Sequence, residues 1–408
     1  MTVGAPPAVD VFVGPEDVPA PAGTAHFSVR RGLVSTAFAY ADAWYRSPRG
    51  SWAISPDLPA ERRSVVAGLP GAFADGAPDR WGRNLIRRRI NAESVAAGRT
   101  PPALTDLDFL LGVSDLTRQG ALRYRLRGTA EFLAPHVEVP KLVRLPELLS
   151  ASDRVALDDH GDDLAAIKVL LAAGTASLGG ARPKASVRDG ETLLMAKFPH
   201  PNDEWDVMAW EKTALDLAEA CGIEAPPRRL VDVGGRRVLL LERFDRRGRE
   251  RVPYVSGLTL VQGRDGDDHD YVEIAEALRT HGSQVTLDLA QMWRRMAFSV
   301  AIHNTDDHLR NHGFLWHRSG WTVSPVFDLN PNPHASEART TSIGFRSDPS
   351  QEREALLEVA AEFRLDAAMA ASVWDEVMLG VRGWRAAAAS NGIGESEVRR
   401  FAPVLDRF

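Results

Sequence analysis

The chain has 408 residues, 44% hydrophobic and 25% charged, with a formal net charge of −6. These are the proportions of a soluble globular protein large enough for two or three domains or lobes. The acidic balance excludes an overall basic field for holding nucleic acid. The single cysteine, Cys221, excludes a disulfide framework and a cysteine-rich metal site, and is expected to be a small buried residue near a helix end in a reducing cytoplasm.

Met1 to Val9 has no basic start leading into an apolar core and is not read as a signal peptide. No apolar run approaches the roughly 20 residues of a membrane span. From the N-terminus, Val11-Phe12-Val13, His26-Phe27-Ser28-Val29 and Phe38-Ala39-Tyr40 are short, β-prone and broken by Pro and Gly, which predicts a small β-rich unit. Leu69 to Asp75 reads as a loop. A helix follows, with Trp81, Leu85 and Ile86 at helical spacing, Asp79 placed to cap it and Arg87-Arg88-Arg89 on a solvated face. Thr105 to Leu116 is a short helical pattern and Ala121 to Arg127 a strand. Pro146 to Ser150 and Leu164 to Ala173 are helical, the latter by its Ala- and Leu-rich composition.

Gly174 to Ala185 (G-T-A-S-L-G-G-A-R-P-K-A) is glycine-rich, carries hydroxyls and ends in Lys184. Without Cβ atoms, backbone N–H groups can approach an anion there. A plain turn would explain the composition too, and the spacing is not the G-x-x-x-x-G-K-[ST] phosphate loop. Thr192 to Phe198 reads as a strand. Lys197 stands in this otherwise apolar run, where a buried ammonium needs a partner. An exposed strand face would also accommodate it, but a strand lysine reaching nucleotide phosphates is the protein-kinase arrangement. Trp205 to Ala220 is an amphipathic helix whose Glu211 could pair with that lysine. Gly222 and Pro226-Pro227 end it. Leu230 to Val233 and Arg237 to Phe244 form a hairpin about Gly234-Gly235, and Glu242, Arg243 and Phe244 fall where a kinase hinge grips adenine. The basic run Arg243 to Arg251 is expected to leave the strand as a loop, and Asp265 to Asp268 is expected to be a surface loop.

Residues 271 to 303 read as helical and lead into Asn304-Thr305-Asp306-Asp307-His308-Leu309-Arg310-Asn311. Gly313 to Trp316 and Trp321 to Ser324 form a strand pair that presents Asp328. An acid, then an amide, then a second acid is the order that phosphoryl transfer asks for: one acid holds the acceptor hydroxyl while the amide and the second acid hold metal. Asp306, Asn311 and Asp328 fit those roles in turn. Caps and turns also gather Asp, Asn and His, so the cluster alone leaves a structural loop open. Residues 351 to 389 are again helical.

Taken in order, several of these motifs resemble the HipA family of serine/threonine kinases. They are Leu69 to Asp75 with Pro78 to Gly82; Phe109 to Val113 with Gly120-Ala121-Leu122; Ser177 to Lys184; Leu241 to Arg246; and Asn304 to Asn311. The resemblance implies an α+β, two-lobed, protein-kinase-like fold. The division expected is residues 1–130 as an N-terminal subdomain, 131–245 as the rest of the small lobe, and 246–408 as a helical lobe. It implies ATP and Mg2+, with Asp306 as catalytic base and Asn311 and Asp328 as metal ligands. Lys197 would bind the phosphates, with Gly179, Gly180, Ala181, Arg182, Pro183 and Lys184 covering them. Glu242, Arg243 and Phe244 would hold adenine, and His308 would lie beside the nucleotide. Ser177 matches the family's autophosphorylation position, where about two added negative charges would repel a phosphate-binding loop. The implied partners are a HipB-like helix-turn-helix antitoxin, operator DNA mainly through that antitoxin, and a protein substrate; aminoacyl-tRNA synthetases are among the family's targets. Asp307 departs from the pattern, standing where other members often carry Gly. Two other functions fit the same kinase-like residues: a small-molecule phosphotransferase and an inactive binding module.

Overall fold

The computed structural model describes residues 8–15, 17–46, 52–60, 63–133, 139–157, 163–174 and 182–408. Ser177, Gly179, Gly180 and Ala181 therefore lie outside the described residues. The chain divides into two compact units, one of residues 1–202 and 233–255 and one of residues 203–232 and 256–408. Helix and strand are mixed in both. No helix among the described residues is long and apolar enough to cross a membrane.

The first unit opens with a five-stranded antiparallel sheet. Its order is Arg63–Ala67, Leu33–Tyr40, Ala20–Arg30, Ala8–Val13, Leu122–Leu126. The alternation expected of a half-buried strand is clearest in Ala8–Val13, where Val9, Val11 and Val13 face the core. Phe38 and Phe73 meet edge-on beneath the sheet, as do Phe73 and Tyr124. The predicted loop at Leu69 to Asp75 contains the short helix Gly71–Asp75. Pro70 sets its entry, Asp57 accepts from the Gly71 N–H at 2.8 Å, and the fully buried Phe73 supplies the packing that holds it.

Helix Arg80–Ala96 begins as expected, with Asp79 accepting from the Gly82 N–H at 2.7 Å. Its Trp81 and Leu85 pack with Ala151 and Val155 of helix Leu145–Leu157 and with Ala166, Ile167 and Leu170 of helix Leu164–Ala172. Of the expected solvated arginines, Arg87 is exposed, while Arg88 donates to the Val155 carbonyl at 3.1 Å. Strands Lys184–Asp189, Thr192–Lys197 and Arg236–Glu242 lie side by side in a second sheet. Gly234 and Gly235 both take positive φ ahead of the last of these, as a two-residue hairpin turn requires.

Gly174 shows where backbone freedom matters. It ends helix Leu164–Ala172 at φ +65°, and a Cβ there would sit 2.5 Å from the Thr117 side chain. A left-handed non-glycine residue costs about 1–2 kcal/mol, and forcing an extra carbon into packed surroundings about 1–3 kcal/mol. Gly174→Ala is therefore expected to lower stability by about 2–5 kcal/mol, read as a fall in the urea midpoint at unchanged slope.

The second unit is mainly helical. The span from 271 to 303 is helical as expected, in two helices, Tyr271–His281 and Val285–Ala301. The chain turns at Gly282, where a Cβ would meet the Leu278 carbonyl at 2.5 Å. Helix Val285–Ala301 runs through the core with Leu289, Met292, Trp293, Met296, Ala297 and Val300 fully buried. Helices Glu352–Glu358, Ala367–Val381, Trp384–Ser390 and Glu395–Leu405 complete the unit. Helix Val207–Ala220 also belongs here, starting at an Asp206 cap and stacking Trp210 on Phe401 at 3.9 Å. Cys221 is buried just past its end, as expected. Strands Gly313–His317 and Gly320–Val323 pair antiparallel, again as expected.

Candidate phosphotransfer site

The loop His303 to Asn311 leaves helix Val285–Ala301 through a left-handed residue. His303 has φ +54°, and the Asn304 N–H reaches back to the Ser299 carbonyl at 2.9 Å, closing the helix end. A second segment, 330–334, is hydrogen-bonded along this loop. The Asn332 N–H donates to the His303 carbonyl at 3.0 Å, Asn332 Nδ2 to Thr305 Oγ1 at 2.8 Å, and the Asn330 N–H to Asn304 Oδ1 at 3.3 Å. His303 Nε2 donates to the His334 carbonyl at 3.0 Å. Burial holds the His303 ring below its ordinary pKa, against the pull of that carbonyl, so it stays neutral and acts as a strut.

This pairing explains how two acids far apart in sequence come together. Asp328 lies two residues before the paired segment. It sits at φ +58°, an unfavourable conformation for a non-glycine residue, and Asn330 Nδ2 lies 3.4 Å from its Oδ1. The Asp328 carboxylate is close enough to act on Asp306. Asn311 completes the group. It ends the short turn Leu309–Asn311 and its Nδ2 donates to the Asp306 carbonyl at 3.0 Å. That bond occupies the amide's nitrogen and leaves Oδ1 as the acceptor.

The two adjacent acids have opposite environments. Asp306 is exposed. Its carboxyl is nevertheless raised above the usual Asp range, first by desolvation in the crowded loop and then by the negative charges of Asp328 and Asp307, against the lowering effect of His308. Asp307 is buried. Burial alone would raise it, but the His312 ring, the Tyr271 hydroxyl and the Arg339 guanidinium outweigh burial and hold it below the usual range. Tyr271 donates its hydroxyl proton to Asp307, and His312 Nε2 lies 3.2 Å away. Neighbouring acids driven apart in this way divide the work: the one facing solvent can take a proton and the buried one stays a fixed charge. Sequence reading assigned nothing to Tyr271, His312, Asn330 or Asn332. The side-chain partners of Tyr271 and Asn332 lie 36 and 27 residues away, beyond any local pattern. His308 is half-buried, and its Nδ1 makes no hydrogen bond among the described residues.

The amide oxygen of Asn311 and the carboxylate of Asp328 are the hard donors that magnesium takes. No group of three or more His, Cys, Asp or Glu among the described residues could hold a metal ion alone. That donor set fits a magnesium ion that draws its other ligands from a nucleotide's phosphates and from water.

The remaining candidates lie in the first unit, apart from Glu211, which is buried in helix Val207–Ala220 of the second. Lys197 closes strand Thr192–Lys197 and is 5% exposed, so it is not a solvated strand lysine. It pairs in register with Lys184. Lys184 is 1% exposed, and its Nζ meets Asp79 Oδ2 at 2.7 Å, which links the strand to the cap of helix Arg80–Ala96. Arg182 and Pro183 lead into that strand.

Glu242 ends its strand in solvent and Phe244 is half-buried. Arg243 is buried and committed elsewhere. Its guanidinium binds Asp245 at 2.8 and 2.5 Å and the Thr117 carbonyl at 2.7 Å, while its own N–H donates to Leu193. Asp245 also accepts from the Gly120 N–H at 2.7 Å and from Arg246 at 2.8 Å. A second buried cluster joins Asp115 to Arg123 and Arg251 at 2.7 and 3.1 Å. Arg118, fully buried, donates to the carbonyls of Gly76, Leu110 and Val113. The basic run expected to trail off as a loop instead forms the short pair Arg246–Arg247 and Glu250–Arg251, with Arg251 buried. Two stretches that looked like separate motifs, Phe109 to Leu122 and Leu241 to Arg246, are thus joined by hydrogen bonds from Arg243, Asp245 and Arg246 to the backbone of Thr117, Arg118 and Gly120.

Residues 176–384, just over half of the chain, match the family model of the HipA-like C-terminal domain. No curated protein matches the sequence. Among solved structures, the chain is similar to a chain of the Shewanella oneidensis MR-1 toxin–antitoxin complex of HipA, HipB and operator DNA. The identity is 16%, the TM-score 0.68, and the match covers 98% of this chain and 96% of that one. It is also similar to the Helicobacter pylori proinflammatory kinase CtkA, at 15% identity and TM-score 0.35 over 51% of this chain and 94% of that one. A third likeness is to the choline kinase LicA of Streptococcus pneumoniae, at 14% identity and TM-score 0.21 over 57% and 92%. The first likeness shows the fold, which is α+β and kinase-like.

Proposed function

Because the chain belongs to the HipA-like C-terminal domain family, we propose that it transfers the γ-phosphate of ATP to a serine or threonine of a protein. The observation that carries this is the juxtaposition of Asp306, Asn311 and Asp328 on two hydrogen-bonded loops. Phosphoryl transfer asks little covalent chemistry of a protein; positioning and charge neutralisation dominate. Asp306, exposed and with a raised pKa, orients the acceptor hydroxyl and takes its proton. Asn311 and Asp328 would hold magnesium, which supplies neutralisation of the phosphate charge. Lys197 binds the phosphates. Glu242 to Phe244 border the adenine, and Gly179 to Lys184 cover the nucleotide, with His308 beside it.

Regulation follows from the same reading. A HipB-like antitoxin restrains the kinase and carries the contact with operator DNA. Phosphorylation of Ser177 switches the kinase off, because a doubly charged group repels the phosphates that its loop would cover. The Shewanella complex, which contains HipA, HipB and operator DNA, supports the antitoxin partner. An aminoacyl-tRNA synthetase is a target of the expected kind.

The experiment is a magnesium titration of nucleotide binding by calorimetry, with a non-hydrolysable ATP analogue. The wild-type chain is expected to bind in a magnesium-dependent way. Loss of a mere supporting contact to a metal ligand weakens metal binding by about 10–100-fold, so Asp328→Ala should weaken it by at least that much. Equal magnesium dependence in the two proteins would remove Asp328 from the metal site.

A further inference from the structure

Resting on the proposed protein kinase reading, we propose that the turn Ile343 to Arg346 is where the polypeptide carrying the acceptor hydroxyl docks. Phe345 would contact an apolar side chain near that hydroxyl. The turn is closed by two backbone hydrogen bonds, Ile343 N–H to the Arg346 carbonyl at 2.9 Å and Arg346 N–H to the Ile343 carbonyl at 3.1 Å. Its two central residues are left-handed, Gly344 at φ +56° and Phe345 at φ +63°. This is the geometry that favours Gly or Asn at both central positions. Gly344 fits it, since a Cβ there would also come within 2.9 Å of Val359. Phe345 does not fit it. A bulky aromatic residue is strained in this conformation, and its side chain is 92% exposed, so no packing offsets the strain. A residue that benefits neither its turn nor the core points to a contact made outside the chain.

The turn is held rigidly and close to the chemistry. Asp270 Oδ2 accepts from Ser342 Oγ at 2.6 Å and from the Phe345 N–H at 2.7 Å, while its Oδ1 accepts from the Val272 N–H at 2.9 Å at the start of helix Tyr271–His281. The chain entering the turn is hydrogen-bonded to both neighbours of the base. The Thr340 N–H donates to the Thr305 carbonyl at 2.8 Å, and Thr341 Oγ1 donates to the Asp307 carbonyl at 2.6 Å. These two bonds bracket Asp306. A ligand gripped at Phe345 is therefore held in register with the group that orients the acceptor hydroxyl. That continuity singles out the acceptor polypeptide over a second copy of this chain or a regulator.

The test uses the full chain, radiolabelled ATP and a positional-scanning library of peptides with a fixed Ser or Thr. Phe345→Gly removes the ring and relaxes the turn, so its melting temperature should not fall. The wild type should select a large apolar residue at one position near the acceptor. Phe345→Gly should lose that selection, with kcat/KM for the favoured peptide lower by about 10- to 100-fold, mostly in KM, and ATP affinity unchanged. Peptide phosphorylation with the same preference and rate in both proteins would overturn the docking role alone. So would a change in self-association with peptide kinetics untouched, or a lower melting temperature that accounts for the loss. A wild-type chain that binds ATP and phosphorylates no peptide would overturn the kinase reading and the docking role with it.

Discussion

Asp306→Ala is expected to abolish phosphoryl transfer while leaving ATP and magnesium binding nearly intact. A positioned base contributes about 10²–10⁴-fold to such a step, and that whole range is at stake in the rate of label incorporation. Binding should persist because, in the proposed assignment, Asn311 and Asp328, not Asp306, would supply the metal donors. Removing the side chain of Asp306 leaves in place the backbone carbonyl that Asn311 grips at 3.0 Å. It also removes one carboxylate from beside Asp328, so nucleotide binding has no electrostatic reason to weaken. A variant that loses transfer and nucleotide affinity together would instead mark Asp306 as part of the metal site.

The second large effect concerns stability. Asp245→Ala would take from two buried guanidiniums, Arg243 and Arg246, their carboxylate partner and from the Gly120 N–H its side-chain acceptor. Breaking a buried ion pair from one side costs about 3–5 kcal/mol, and denaturant unfolding should show a loss of that size. The more conservative Asp245→Asn tests the charge. In the native protein burial works against the Asp245 carboxylate, but the charges of Arg243 and Arg246 and the Gly120 N–H outweigh it and hold the group well below the ordinary range. A depressed folded-state pKa means the stabilisation is complete above the unfolded value, near pH ~4, and is lost as pH falls through the folded one. Asp245→Asn has no such proton to bind. Its stability should start lower at neutral pH and fall less steeply below pH ~4 than that of the wild type.

What could be read from the sequence was local. The Asp79 cap, the Gly234-Gly235 turn and the strand pair about Gly320 each depend on residues a few positions apart, and each has a short-range signal. The family resemblance likewise rested on short motifs, and the matching family model agrees with it over residues 176–384. The short helix at Gly71–Asp75 was missed because packing of Phe73, rather than helical periodicity, sustains it. The buried arginines were not legible for a related reason. Arg118, Arg243 and Arg251 are buried because Asp115, Asp245 and distant carbonyls receive them, and none of those pairings has a local signal. Asp307 illustrates the limit within the motif itself. Its sequence neighbour Asp306 is of the same residue type, and only the distant Tyr271 and the fold around His312 separate a fixed internal charge from a candidate base.

The most direct test of the phosphotransfer account is the intact mass of the phosphatase-treated chain after incubation with ATP and magnesium, followed by peptide mapping. The account predicts a magnesium-dependent gain of one phosphate on the peptide containing Ser177 in the wild type, and no gain in Asp306→Ala. No gain in the wild type, or an equal gain in both proteins, would contradict it.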